Sequence, residues 1–284
     1  MKLRYLISTF CAFAASLFVS CSKEDNLNVP LLLEGDTWEP GQVDNWLYDN
    51  FTKPYNIQVK YRWDPFEVNY SKTLVPPMED KVIPTMEAVK KIWIEPYVAE
   101  AGDMFIKRYA PKQYVLVGSA EYQNDGTIVL GQAEGGRKVT LMVLNQFDKK
   151  NLPVVKQMLH TIEHEFAHIL HQTILYPREY KQITPSGYTA SWYNTEDEEA
   201  RELGFITAYS RANADEDFVE MVSTMLTEGK VGFDALVNNV GSETGKSFLR
   251  KKEAMVASYF QNSWGINIYS LQTRTELAIK ELNK

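Results

Sequence analysis

All four histidines of the 284-residue chain fall between residues 160 and 171, in HTIEHEFAHILH, and His164-Glu165-Phe166-Ala167-His168 within that run is an HExxH pattern. Two histidines four apart on a helix stand one turn apart on the same face, so both imidazoles can hold one zinc ion. The 3.6-residue period turns Glu165 about 100° away from His164. From there its carboxylate can reach a water on the metal without binding the metal itself. The chemistry this permits is metal-assisted hydrolysis. Zinc acidifies its water towards a pKa of roughly 7, and Glu165 takes the proton and delivers it to the leaving amine.

The motif works only on a helix, and the surrounding residues predict one. Asn151 can cap it, Pro153 sits in the first turn where a missing N–H is harmless, and Tyr176-Pro177 ends it. On a helical wheel His160, His168 and His171 lie within about 40° of His164. Val155, Met158, Leu159, Ile162, Phe166 and Ile169 gather on the opposite side. Catalytic zinc takes three protein ligands and a water, so a third ligand is needed, from His171, His160 or a downstream acid. Three ligands strung along one straight helix surround an ion badly. The metzincin pattern HExxHxxGxxH is excluded, because His171 stands where it has glycine and no further histidine follows. A second helix must supply an acid. The best candidate is YSRANADEDFVEMVSTML, with Asn213 as N-cap and Gly229 closing it. Glu216 and Glu220, four apart, share one face of that mostly apolar helix, and carboxylates there need a cation or hydrogen-bond donors.

The rest of the chain is read more coarsely. Residues 43–51 have helical spacing stopped by Thr52-Lys53-Pro54, and 57–63 alternate as a strand. A helix is expected over 84–99, then strands at 114–118, 126–131 and 139–144, the last two separated by Glu134-Gly135-Gly136. From Pro153 the pattern is mostly helical, apart from a Tyr-, Ser- and Thr-rich loop at 177–194. Strands first and helices after predict an α+β fold, a small mixed sheet followed by the active-site helix and a mainly helical C-terminal part. The strand at 139–144 is placed to pair with an extended peptide, and Tyr188, Trp192 and Tyr193 to line a substrate cleft.

Composition narrows the function classes. A chain that is 44% hydrophobic and 12% aromatic can bury a full core. A formal charge of −7 argues against a sequence-blind grip on nucleic acid. Lys2 and Arg4, the apolar run 6–19 and the small Ser20 before Cys21 have the layout of a secretory signal, too short to cross a bilayer comfortably. The expected organisation is a signal peptide at 1–20, a tether at 21–38 beginning with Cys21, and one catalytic domain at 39–284. LFVSC resembles the lipobox of bacterial lipoproteins, which implies that Cys21 is acylated and becomes the new N-terminus. Since Cys11 lies in the leader, Cys21 is the single cysteine of the mature chain.

Two further resemblances follow from these residues. His164-Glu165-xx-His168, with Tyr209, Asn213, Glu216 and Glu220 about fifty residues on, resembles the gluzincins, and is similar in its spacing to the peptidase domain of anthrax lethal factor. The resemblance implies Glu216 as third zinc ligand, Glu220 as an acid holding a ligand histidine, and Tyr209 near the scissile carbonyl. More broadly, VDNWLYDNFTKPYNIQVKYRWD, HEFAHILHQ and EDFVEM together resemble the zinc-binding metallopeptidases described as substrate-import-associated zinc metallohydrolase lipoproteins. This implies one zinc ion, a peptide or protein substrate and an outer-membrane lipoprotein at the cell surface or the periplasmic face. The implied neighbours are a TonB-dependent transporter and its nutrient-binding lipoprotein. Two other readings stay open, a non-proteolytic zinc-containing scaffold subunit of that uptake system and a hydrolase of another amide.

Overall fold

The computed structural model describes residues 39–284 apart from 124–125 and 135–136. The expected signal peptide, tether and Cys21 lie outside the described residues. No helix among the described residues is long and apolar enough to cross a membrane.

The first helix, α1 (Gln42–Leu47), continues through a π turn at Tyr48–Thr52 into a last turn, Lys53–Tyr55. The expected stop at Thr52-Lys53-Pro54 is therefore overrun. Pro54 falls in the first positions of that last turn, and the helix ends instead at Asn56, which takes a left-handed conformation (φ 57°). Strand β1 is only Gln58–Lys60. The next helix begins earlier than expected, and α2 comprises Glu79–Val89, a π turn at Lys90–Ile94, and Glu95–Ala101. A short α3 (Asp103–Tyr109), not anticipated, leads into the sheet.

Strands β2 (Gln113–Leu116), β5 (Gly131–Glu134) and β6 (Lys138–Leu141) join β1 in the order β1-β2-β6-β5, while β3 (Glu121–Tyr122) and β4 (Ile128–Val129) form a separate hairpin. Strands β1, β2 and β6 run parallel, and β5 is antiparallel to β6. The register sets Tyr114 opposite Val139 and Leu116 opposite Leu141. These four residues form one apolar face that enters the core. The strand expected to receive a peptide, at 139–144, is interior, with β2 on one side and β5 on the other. The sheet's free edge beside it is β5. Gly131 lets that edge approach the next helix, because a Cβ there would collide with the Thr161 side chain.

That helix is α4 (Leu152–Thr173), which carries the HExxH motif. Asn151 is its N-cap residue as expected, but its side chain makes no capping hydrogen bond. After two 3-10 turns, a short α5 (Asp197–Glu202) and another 3-10 turn come α6 (Ala214–Asn238), α7 (Glu243–Tyr259) and α8 (Ile268–Leu282). Asn213 caps α6 by accepting from the backbone N–H groups of Asp215 and Glu216. Gly229 (φ 70°, ψ 174°) breaks α6 where the sequence predicts closure, and helical turns resume beyond it. The architecture is α+β, with helices on both sides of the sheet in sequence rather than only after it.

The rotation of α4 is set by its apolar face. Phe166, inside the motif, packs edge-on against Trp93 and Tyr97, each at 5.2 Å between ring centroids. This anchor turns His164 and His168 towards α6. Beside it lies a fully buried carboxyl, Glu163, which accepts from the Tyr97 hydroxyl (2.8 Å). Burial pushes its pKa up to about 8 from 4.5. The folded chain therefore holds this proton more tightly than the unfolded one, so the stability it confers is complete below pH 4.5 and is lost as pH rises towards 8. Glu163→Gln is expected to be more stable than wild type at pH 8, by at most about 5 kcal/mol at roughly 1.4 kcal/mol per pH unit. The advantage should vanish near pH 4, as thermal melts of the two proteins across that range will show.

Candidate metal and catalytic site

Helices α4 and α6 pack face to face, and the histidine stripe meets the two carboxylates predicted for the second helix. Glu216 Oε2 lies 3.2 Å from His164 Nε2 and 3.3 Å from His168 Nε2. The other ring nitrogens are also engaged. His164 Nδ1 is 2.7 Å from Glu220 Oε1, and His168 Nδ1 is 3.0 Å from His171 Nε2. Glu220 is further held by His160 Nε2 (3.0 Å) and by the Thr207 hydroxyl, which donates to its Oε2 (2.7 Å).

Among the described residues two overlapping sets of donors could hold a metal ion, His164 with His168 and Glu216, and His160 with His164 and Glu220. Distance separates them. Ligand atoms about 2.0–2.1 Å from a tetrahedral zinc stand about 3.3 Å from one another, and the first set has 3.2 and 3.3 Å. In the second set the 2.7 Å between His164 Nδ1 and Glu220 is a hydrogen-bond length, too short for two ligands of one ion. The first set also leaves each histidine a partner for its remaining nitrogen. The donor set thus fits zinc through His164, His168 and Glu216. His160 and His171, the alternative ligands left open by the sequence, sit outside it.

The electrostatics match a cation site. Burial opposes ionisation of Glu216, yet its hydrogen bonds with His164 and His168 hold its pKa at about 2. Burial likewise disfavours a charged His164, but Glu216 and Glu220 push its pKa up to about 10 without metal. Glu220, although buried, is held well below the usual carboxylate range by His160 and His164. Two ionised carboxylates in so enclosed a place require positive charge.

Glu165, almost fully buried, opens onto a cleft of ≈ 1060 Å³ counted out to solvent. One wall is Ile128–Gly131, the floor is His160, His164 and Glu165, and the far wall carries Trp192 and Tyr209. The Tyr209 ring stacks on that of His164 (5.8 Å, 24°), and Trp192 packs on Tyr209 at 4.7 Å. Burial and the charges of Glu216 and Glu220 raise the pKa of Tyr209, so its hydroxyl keeps its proton. Of the three loop aromatics, Trp192 lines the cleft and Tyr193 packs against it. Tyr188 does not. Its hydroxyl donates to Asp217 (3.0 Å) and its ring packs on Phe205.

In that geometry the family model described as "Putative zinc-binding metallo-peptidase" matches residues 36–269. The chain belongs to this family. It is similar to a solved protein from Bacteroides caccae ATCC 43185, a crystal structure described in the same words. That likeness has 36% sequence identity and a TM-score of 0.73, over 84% of this chain and 92% of that one. The curated proteins gave no match.

Several supporting residues escaped the sequence reading. Lys252 of α7 is fully buried against Asp217 (2.6 Å), and also donates to the Gly204 carbonyl (2.7 Å). It thereby ties the loop before α6 to the helix that carries Glu216 and Glu220. Thr207 and Ser223 complete the surroundings of Glu220 and His160. A lysine in a charged run and isolated hydroxyls give no signal at the level of sequence.

Proposed function

We propose that the chain is a zinc-dependent peptidase in which His164, His168 and Glu216 hold one ion and Glu165 is the general base. The observation that carries this reading is the convergence of two Nε2 atoms on one carboxylate oxygen, at 3.2 and 3.3 Å, with a glutamate one residue along facing an open cleft. Bound there, zinc would supply Lewis-acid polarisation and lower the pKa of a water. The protein's own groups do the rest. Glu165 accepts a proton from the attacking water and returns it to the leaving amine. The Tyr209 hydroxyl, protonated and beside His164, donates to the developing oxyanion. Glu220 accepts from His164 Nδ1 and so fixes the tautomer that leaves Nε2 for the metal. These roles resemble those of the gluzincins, and the cleft beside the β5 edge suits an extended peptide.

The cellular setting belongs to the same proposal. The leader and the LFVSC pattern support a lipid anchor at Cys21 and residence at the outer membrane, on its surface or periplasmic face. The family resemblance supports a TonB-dependent transporter and its binding lipoprotein as neighbours, and nothing in the charge suggests nucleic acid. Metal analysis of the purified chain, with cleavage of a peptide library before and after chelation, tests the activity. One zinc per chain, and cleavage lost to chelator and restored by zinc, is the expected result. Stoichiometric zinc without cleavage of any peptide would favour the scaffold reading instead.

A further inference from the structure

Each of the two histidines in the donor set has a second nitrogen to settle, and the chain settles them differently. His164 faces a carboxylate, Glu220. His168 Nδ1 faces another histidine one turn on, His171, at 3.0 Å, with the rings 5.2 Å apart. His171 is only 4% exposed, and Tyr176 (5.5 Å) and Phe218 (6.2 Å) pack around it. Its own Nδ1 is buried with no hydrogen-bond partner among the described residues. A leucine would pack against these two rings without leaving a buried polar atom unpaired, and unpaired buried groups are costly. Among the described residues, the hydrogen bond that accounts for a histidine here is the one to His168.

We infer that His171 is a positioning residue for metal binding. Its Nε2 lone pair accepts the Nδ1–H of His168 and locks the tautomer in which His168 Nε2 is free to ligate. The inference rests on His168 being a zinc ligand, as proposed above. Without an acceptor at that point, His168 can carry its proton on Nε2 and donate it to Glu216, 3.3 Å away, a tautomer that cannot bind metal. A ring that accepts at Nε2 is a neutral imidazole with its proton on Nδ1. The acceptor is therefore an uncharged ring on one ligand and a carboxylate on the other. The lone pair comes with a cost, since the His171 proton then resides on the unpaired Nδ1.

That cost separates positioning from mere packing. His171→Leu is expected to leave the metal-free protein as stable as wild type or more so. Its zinc affinity, read by competition with a chromophoric chelator, is expected to fall roughly 10–100-fold. His171→Gln, whose amide oxygen can reach the position of Nε2, should recover most of the affinity. In zinc-loaded, 15N-labelled wild type, His168 should show a protonated, slowly exchanging Nδ1, a readout that needs no variant to fold. Unchanged zinc affinity in His171→Leu overturns the inference while the zinc site stands, and a His168 protonated on Nε2 in the loaded protein overturns the ligand assignment with it. A wild-type chain that takes up no zinc overturns the ligand assignment and this inference together.

Discussion

Glu165→Gln is expected to fold, to retain one zinc per chain, and to lose peptide hydrolysis by about 10²–10⁴-fold in kcat. Glu165 is absent from both donor sets, and it lines the cleft. Glutamine keeps its size and its hydrogen-bonding reach but cannot accept a proton, so the change falls on proton transfer and leaves the metal donors in place. KM should move little, because the walls of the cleft, Ile128–Gly131 and Trp192 with Tyr209, are untouched. Steady-state kinetics on any peptide cleaved by the wild type, with zinc content measured on the same samples, checks this. A variant that keeps both zinc and turnover would remove Glu165 from the mechanism.

The parts of this protein legible in its sequence are those fixed by short-range periodicity. α4 declares itself by Pro153, by an apolar face and by three histidines within about 40° of His164, and the structure places all four rings on one side. α6 is legible for the same reasons, from the Asn213 cap to the Gly229 break. Even here the side-chain detail is partly lost, since Asn151 occupies the cap position without using its side chain. The π turns at Tyr48–Thr52 and Lys90–Ile94 are invisible because they shift the helical period for only one turn.

What the sequence conceals is whatever depends on non-local neighbours. A short, mostly apolar segment such as 139–144 looks the same at the edge of a sheet as inside it, and only the order β1-β2-β6-β5 makes β6 interior and β5 the edge. Tyr188 and Trp192 come from one loop of uniform composition. One turns to Asp217, which Lys252 of α7 also holds, and the other to Tyr209. His171 was visible as a member of the stripe, but its partner was not. Spacing puts it on the right face, but its contacts with His168, Tyr176 and Phe218 are made only in the fold.

Glu216→Ala is the substitution that decides between the two donor sets. If zinc sits between His164, His168 and Glu216, removing this carboxylate should weaken binding by at least about 100-fold, beyond the roughly 10–100-fold typical of residues that only orient a ligand. Glu220→Ala should then fall within the milder range, because it removes an orienting acceptor and leaves all three ligands. If zinc sat instead with His160, His164 and Glu220, the order of the two losses would reverse. The helix should survive either change. Its cap is Asn213, and its packing comes from Phe218, Val219, Met221, Val222 and Met225, all buried. Glu220→Ala carries the larger folding cost, since it strips the acceptor from His160, His164 and Thr207 at once. Circular dichroism on the metal-free proteins separates that cost from metal loss. The expected order follows from a difference of about half an ångström: 3.2–3.3 Å leaves room for an ion between ligands, and 2.7 Å leaves room only for a proton.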